Sequence, residues 1–333
     1  MLRTIPLVTT PSWQEQLADL VTDPAELLAI LQLNAEDVGL SAEAIKSFPL
    51  RVPRPYLARI KPGDPNDPLL LQVLPSTKET ELQPGYSNDP LGELGVNQTP
   101  GLLHKYAGRV LLIATSSCAI HCRYCFRRHF PYSDNRPGRA QWQESFDYIA
   151  ANPDIQEVIL SGGDPLATSN AYLSWLVENL LAIPHVTRLR LHTRVPIMIP
   201  QRVDGPLIQL LGNRKQQIVV VLHANHAQEF DADVDSACQR LRSAGIHLLN
   251  QSVLLGGIND SNTALCELSE RMFAAGVLPY YLHVLDKVNG AAHFDVTLTK
   301  ARQLIQTMQG LLPGYLVPRL VREEAGMMNK IPL

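Results

Sequence analysis

From residue 109 onward the chain keeps one rhythm. The apolar runs "RVLLIAT", "EVILSGG", "TRLRLHT", "QIVVVLH", "HLLNQSVLL" and "PYYLHVL" recur about every 30 residues, each bounded by turn-forming residues. Between them lie stretches with helical spacing of apolar positions, such as "AYLSWLVENLLA", "DSACQRLRSAG" and "ALCELSERMFAAG". Strands alternating with helices predict a parallel sheet joined by right-handed crossovers. Six such units, followed by a seventh apolar run at "GYLVPRLV", predict an α/β fold, a partial (β/α)6 barrel over residues 101–312. In such barrels chemistry gathers at the C-terminal ends of the strands.

The pattern before residue 100 is different. Short helical patterns ("SWQEQLADLVTD", "DPAELLAILQL", "SAEAIKSF") give way to a Pro-dense polar stretch, "VPRPYLARIKPGDPNDPLLLQVLPSTKETELQPGYSNDPLGE", in which regular structure is repeatedly interrupted. Residues 1–100 therefore read as a helical cap and a wrapping segment, and residues 313–333 as a C-terminal segment. No internal sequence repeat or low-complexity tract is visible.

Composition narrows the partners. A chain of 333 residues, 45% hydrophobic and 18% charged, can bury a sizeable core. Its net charge of −3 offers no broad basic surface, so no nucleic-acid partner is expected, and no apolar run is long enough to span a membrane. The start, "MLRTIPLVTTPSWQEQLADLV", has no continuous apolar core of a secretory signal, so a cytoplasmic location is expected. There, clustered cysteines read as metal-binding or catalytic rather than as disulfides.

Cys118, Cys122 and Cys125 form C-x3-C-x2-C directly after the first barrel strand. Three thiolates can hold three irons of a 4Fe-4S cubane and leave the fourth iron open for another ligand. A zinc site completed by His121 or His129 is the alternative, although no second Cys pair follows as zinc sites usually have. Cys238 and Cys266 fall inside helical patterns and read as small core residues.

The C-x3-C-x2-C motif in this position resembles that of the radical S-adenosylmethionine enzymes, and "SGGDP" after the second strand resembles their glycine-rich loop. The stretches "GLLHKYAGRVLLIATSSCAIHCRYCFRR", "SGGDPL", "TRVPIMIPQR", "HANH", "NQSVLLGGIND", "YYLHVLD" and "NKIPL" narrow the resemblance to the lysine 2,3-aminomutase family, from about residue 50 onward. That resemblance implies a radical enzyme with three cofactors: a 4Fe-4S cluster, S-adenosylmethionine and pyridoxal 5′-phosphate. It places the cluster on Cys118, Cys122 and Cys125 and the Schiff-base lysine on Lys330. A 5′-deoxyadenosyl radical would take a hydrogen from the β-carbon of lysine held as an aldimine, and the nitrogen would migrate to that carbon.

The remaining roles are also implied by the resemblance. Lys105, Tyr106 and Arg109 fall where the family holds pyridoxal phosphate. Tyr124 falls where it covers the adenine, and Ser161, Gly162, Gly163, Asp164, His223 and Gln251 fall around S-adenosylmethionine. Arg127 aligns with the contact to the substrate carboxylate, which an arginine fork suits. Asp286 and Glu323 align with two carboxylates that receive the distal ammonium of lysine. At Glu323 the family has Asp, and its Gly-rich run before the lysine is "GMMN" here.

Longer family members continue past the lysine into a segment with a zinc site, and no zinc is expected in this chain. The short form resembles the aminomutase that makes (R)-β-lysine from (S)-α-lysine for elongation factor P, working with a dedicated ligase. A flavodoxin- or ferredoxin-type protein would be the electron donor. Aminomutases making free β-amino acids, or acting on glutamate, are the enzyme alternatives; Asp286 would repel a second carboxylate. A non-catalytic iron–sulfur protein would need neither Lys330 nor Arg127.

Overall fold

The computed structural model describes residues 11–132 and 138–333. Its centre is a ten-stranded open sheet. Seven strands run parallel in chain order: β1 (Arg109–Thr115), β2 (Glu157–Gly162), β3 (Arg188–Thr193), β4 (Gln217–Leu222), β5 (His247–Val253), β6 (Leu278–His283) and β7 (Arg319–Arg322). The six apolar runs and the seventh at "GYLVPRLV" all supply strands. β2 is buried along its whole length, as a strand covered on both faces should be.

Helices α1 (Arg139–Ala151), α2 (Asn170–Leu181), α3 (Gly205–Leu211), α4 (Ala232–Ser243), α5 (Asn262–Ala274) and α6 (Leu298–Leu311) fill the crossovers. Five of them begin alike: Ser169, Asp204, Asp231, Ser261 and Thr297 cap α2, α3, α4, α5 and α6 by accepting a backbone N–H of the first turn. In α2 and α4 the buried residues follow one helical stripe, Leu173, Leu176, Val177 and Leu180, then Val234, Ala237, Cys238 and Leu241. Full burial of each large apolar side chain contributes roughly 1.5–3 kcal/mol. Cys238 is therefore a core residue, and Cys266 is half-buried on α5.

Both sheet edges are closed by antiparallel strands. Leu102–Tyr106 turns back through Ala107 and Gly108, the latter at φ +74°, to pair with β1, and Asn97–Thr99 pairs beyond it. At the other edge Ile331–Pro332 pairs with β7, where a proline is tolerated because its missing N–H costs no ladder bond on the outer side.

The wrapping segment lies behind the cysteine loop. Arg51 and Gln72 accept backbone N–H bonds from His121 and Arg123 at 3.0 and 2.9 Å. Glu79, buried, takes Arg123 at 2.6 Å and Arg128 at 2.6 Å. Among the described residues no helix is long and apolar enough to cross a membrane.

Candidate active site

Inside the open barrel is a cavity of about 610 Å³, and every site residue expected from the sequence lines it. Its extent differs from the expectation. The thiols do sit at the C-terminal end of β1, but Arg109 begins that strand, about 20 Å away at 3.3 Å per residue. The hairpin that precedes β1 carries Lys105 and Tyr106 to this far end, so the cavity runs along the inside of the barrel rather than only across its top.

At the cysteine end the glycine-rich loop has a definite structural task. Gly163 N–H donates to Thr115 O at 2.7 Å and Asp164 N–H to Ser117 O at 2.8 Å. A Cβ on Gly162, at φ +113°, would sit 2.5 Å from Thr115 O, and one on Gly163 would sit 2.4 Å from Ser117 O. Only glycines let this loop press against the start of the cysteine loop. Both oxygens of the Asp164 carboxylate are committed, to Thr193 Oγ1 (2.6 Å), the N–H groups of Arg194 (2.6 Å) and Val195 (3.1 Å), and that of Leu166 (3.0 Å). Burial nevertheless pushes its pKa up to about 6. Asp164 thus frames the site and leaves ligand contact there to backbone atoms.

The three thiols fit a cluster better than a zinc ion. His121 stacks on Phe48 with its Nδ1 at 2.8 Å from Pro49 O, and His129 Nε2 faces Asn289 O at 3.2 Å, so both histidines are engaged elsewhere. Among the described residues no three His, Cys, Asp or Glu side chains converge as a single-ion site requires. A cubane asks less, since each thiolate binds its own iron. Burial first, and then neighbouring thiols, push Cys118 well above the usual thiol range and Cys125 up to about 11. Thiolates here need a cationic group to hold them ionised. Beside them, Gln251 Nε2 lies 3.0 Å from His223 Nε2, and burial drops His223 to about 3, a neutral imidazole. Tyr124 lines the same wall, its hydroxyl accepting from Asn225 Nδ2 at 2.7 Å.

From the cysteine end to the hairpin runs a chain of alternating charges. Arg127 donates from Nε and Nη2 to Glu93 at 2.6 and 2.8 Å. Lys105 Nζ bridges Glu93 and Glu323, at 3.1 Å to each. Glu323 also accepts from Lys330 Nζ. Although burial works against it, Lys330 and Lys105 hold Glu323 below the usual carboxylate range. Arg109 lies over the Tyr106 ring at 4.6 Å, and among the described residues it makes no ion pair. This cluster carries more cationic than anionic side chains and so fits a phosphate dianion beside an amine.

Asp286 is the exception. It follows β6, and among the described residues no cation stands within ion-pairing distance of it. Burial, then the charge of Glu323, pushes its pKa up to about 7 against the pull of Lys330 and Lys105.

Three residues of the site escaped sequence reasoning: Glu93, Arg194 and Glu229. Arg194 donates to Cys122 Sγ at 2.7 Å and to Glu229 at 2.9 Å. Arg194 lies inside a stretch that carries the family resemblance, "TRVPIMIPQR", and Glu229 three positions beyond "HANH", yet nothing in their local pattern separates them from surface charges. Glu93 sits in a Pro/Gly-rich run and meets Arg127 only through the fold.

A family model described as a 4Fe-4S single cluster domain matches residues 107–185. The L-lysine 2,3-aminomutase of Escherichia coli is 50% identical over 98% of this chain and 96% of its own length, and that of Haemophilus influenzae 48% identical over 96% and 94%. The L-lysine 2,3-aminomutase of Clostridium subterminale is 34% identical over 96% of this chain and 77% of its own. A solved radical SAM methyltransferase from Sphaerobacter thermophilus covers 66% of this chain and 68% of its own at 16% identity and a TM-score of 0.47, too loose a likeness to bear on the site. The chain belongs to the L-lysine 2,3-aminomutase family, isomerases of the radical S-adenosylmethionine class that work with a 4Fe-4S cluster, S-adenosylmethionine and pyridoxal phosphate.

Proposed function

We propose that this enzyme converts (S)-α-lysine to (R)-β-lysine and that the product serves the modification of elongation factor P. Asp286 carries the substrate reading. A buried cavity carboxylate with no cation in ion-pairing distance among the described residues is a place for an ammonium group brought by the substrate. Its neighbour Glu323 makes a glutamate substrate a poor fit, because a second carboxylate would face two fixed ones. The elongation factor branch rests on the family resemblance in the sequence, since the relatives share one name, L-lysine 2,3-aminomutase.

The residues divide by location. Cys118, Cys122 and Cys125 would hold the cluster. Ser161, Gly162, Gly163, Asp164, Tyr124, His223 and Gln251 would surround S-adenosylmethionine. Lys105, Tyr106 and Arg109 would bind the phosphate of the pyridoxal cofactor, and Lys330 its carbonyl carbon. The chemistry supplied when these groups are bound is hydrogen abstraction from an unactivated carbon and a conjugated system for the migrating nitrogen. The protein's share is placement: Glu323, expected beside the distal ammonium, is instead taken up by Lys105 and Lys330 and orients the Lys330 amine, Arg127 takes the α-carboxylate, and Asp286 fixes the distal ammonium. Arg127 is engaged on both edges, its Nε and Nη2 by Glu93 and its Nη1 by Ser161 Oγ at 3.1 Å and Gly162 O at 3.4 Å, so a substrate carboxylate would replace the longer Nη1 contacts.

The test is an anaerobic assay of the reconstituted enzyme with lysine and a reductant, read by chiral chromatography with mass detection. (R)-β-lysine supports the reading. Formation of 5′-deoxyadenosine without β-lysine would keep the radical chemistry and sink lysine as substrate. Elongation factor P from cells lacking the enzyme, weighed by mass spectrometry, should lack its lysyl modification; an unchanged mass would remove that branch.

A further inference from the structure

Among the described residues, Cys122 is the thiol whose sulfur accepts a hydrogen bond from a cationic side chain. Arg194 follows the last residue of β3, and its guanidinium points back to the cysteine loop, donating from Nη1 to Cys122 Sγ at 2.7 Å. From Nη2 it donates to Gln72 Oε1 at 2.6 Å and to Glu229 Oε2 at 2.9 Å. The group is buried, with its carbon 5.6 Å from the Tyr56 ring centre and 5.7 Å from that of Tyr124. Glu229, fully buried, is held in turn by the N–H groups of Asn225 (2.7 Å) and His226 (3.1 Å). Arg194 N–H is pinned by Asp164 at 2.6 Å. Such a network, drawing on the wrapping segment, β3 and the loop after β4, fixes one positive charge against one sulfur.

We propose that Arg194 is a positioning residue that raises the reduction potential of the cluster, and that Glu229 sets how much of its charge the cluster feels. The inference rests on the cluster being held by Cys118, Cys122 and Cys125. Reduction adds one electron, hence one negative charge, to the cluster. A charge-assisted hydrogen bond to a ligating sulfur stabilises that extra charge, more so in a buried site where the dielectric is low. Arginine keeps its proton throughout, so the effect is constant with pH. Its planar fork also explains the residue type: sulfur, amide oxygen and carboxylate are met at once from one plane, which a lysine could not do.

The opposing charges give a two-sided test. Wild type, Arg194→Gln, Arg194→Lys and Glu229→Gln are reconstituted anaerobically, checked for iron and sulfide content and for circular dichroism, and titrated with EPR detection of the reduced cluster. Arg194→Gln should lower the reduced-to-oxidised ratio at a fixed poise at least tenfold, about 59 mV for one electron. Arg194→Lys should lower it less, and Glu229→Gln should raise it. The Lys and Glu229 variants keep the test alive should the Gln variant fail to fold. Cluster-loaded variants that all titrate at the wild-type potential would overturn the proposal. A wild-type chain that takes up no EPR-active cluster would instead overturn the cluster assignment on which it rests.

Discussion

The two ends of the cavity are built on opposite plans. The cysteine loop is clamped from behind: Glu79 is buried against Arg123 and Arg128, the Arg51 and Gln72 carbonyls take its backbone N–H groups, and Gly162 and Gly163 admit the next loop to contact distance. Lys330 sits on a tail whose hold is slight, a two-residue edge strand, one backbone bond from Leu333 N–H to Leu320 O at 3.1 Å, and its own ion pair to Glu323. Just before it, Gly326 has φ +78° and Met328 is 82% exposed. The difference suits the chemistry proposed above for each end. Thiolates that share one cluster need fixed spacing, whereas an amine that must bind a carbonyl carbon, release it and bind it again needs room to move.

Separating the ends is the strongest way to break this comparison. Cys122→Ala should lose cluster iron and all S-adenosylmethionine cleavage while still binding pyridoxal phosphate. Lys330→Ala should keep the iron and lose the long-wavelength pyridoxal absorbance. Iron assay and absorption spectra of the two variants check both, and a variant that lost both cofactors would show that the ends are one cooperative unit. Next in size is the clamp. Glu79→Ala leaves two buried guanidinium groups without their carboxylate and should cost about 3–5 kcal/mol, measured by chemical denaturation. Met328→Ala, at the exposed tail, should cost less than about 0.5 kcal/mol. Equal losses would mean that the tail is as firmly built as the clamp.

What could be read beforehand follows the same division. The alternation of strands and helices and the spacing of Cys118, Cys122 and Cys125 are local patterns, so both were legible. Lys330, three residues from the end of the sequence, looks like a solvated tail charge, and only the resemblance singles it out. Glu93 lies 34 positions from its partner Arg127, and Glu229 lies 35 from Arg194. Nothing short of the folded sheet brings those pairs together. The expectation that chemistry lies at the strands' C-terminal ends missed the hairpin of Lys105 and Tyr106, because it concerns the loops after strands and this one comes before β1.

The finest test lies between the two ends, at Asp286. With its pKa pushed up to about 7 in the absence of a cation, the group is about half protonated at neutral pH. Only the ionised form attracts an ammonium, so below pH 7 lysine must first displace a proton. Its dissociation constant should therefore rise about tenfold per pH unit as pH falls from 7 toward the lower pKa of the complex, and should level off above about 8. Calorimetry in two buffers of different ionisation enthalpy should show proton release on binding at pH 6.5 and almost none at pH 8.5. In Asp286→Asn the slope should vanish while overall affinity falls, because the amide neither titrates nor pairs with the ammonium. A variant that kept the wild-type slope would assign the titration to another group. It would leave Asp286 as a wall of the cavity, and the substrate reading would lose the observation on which it stands.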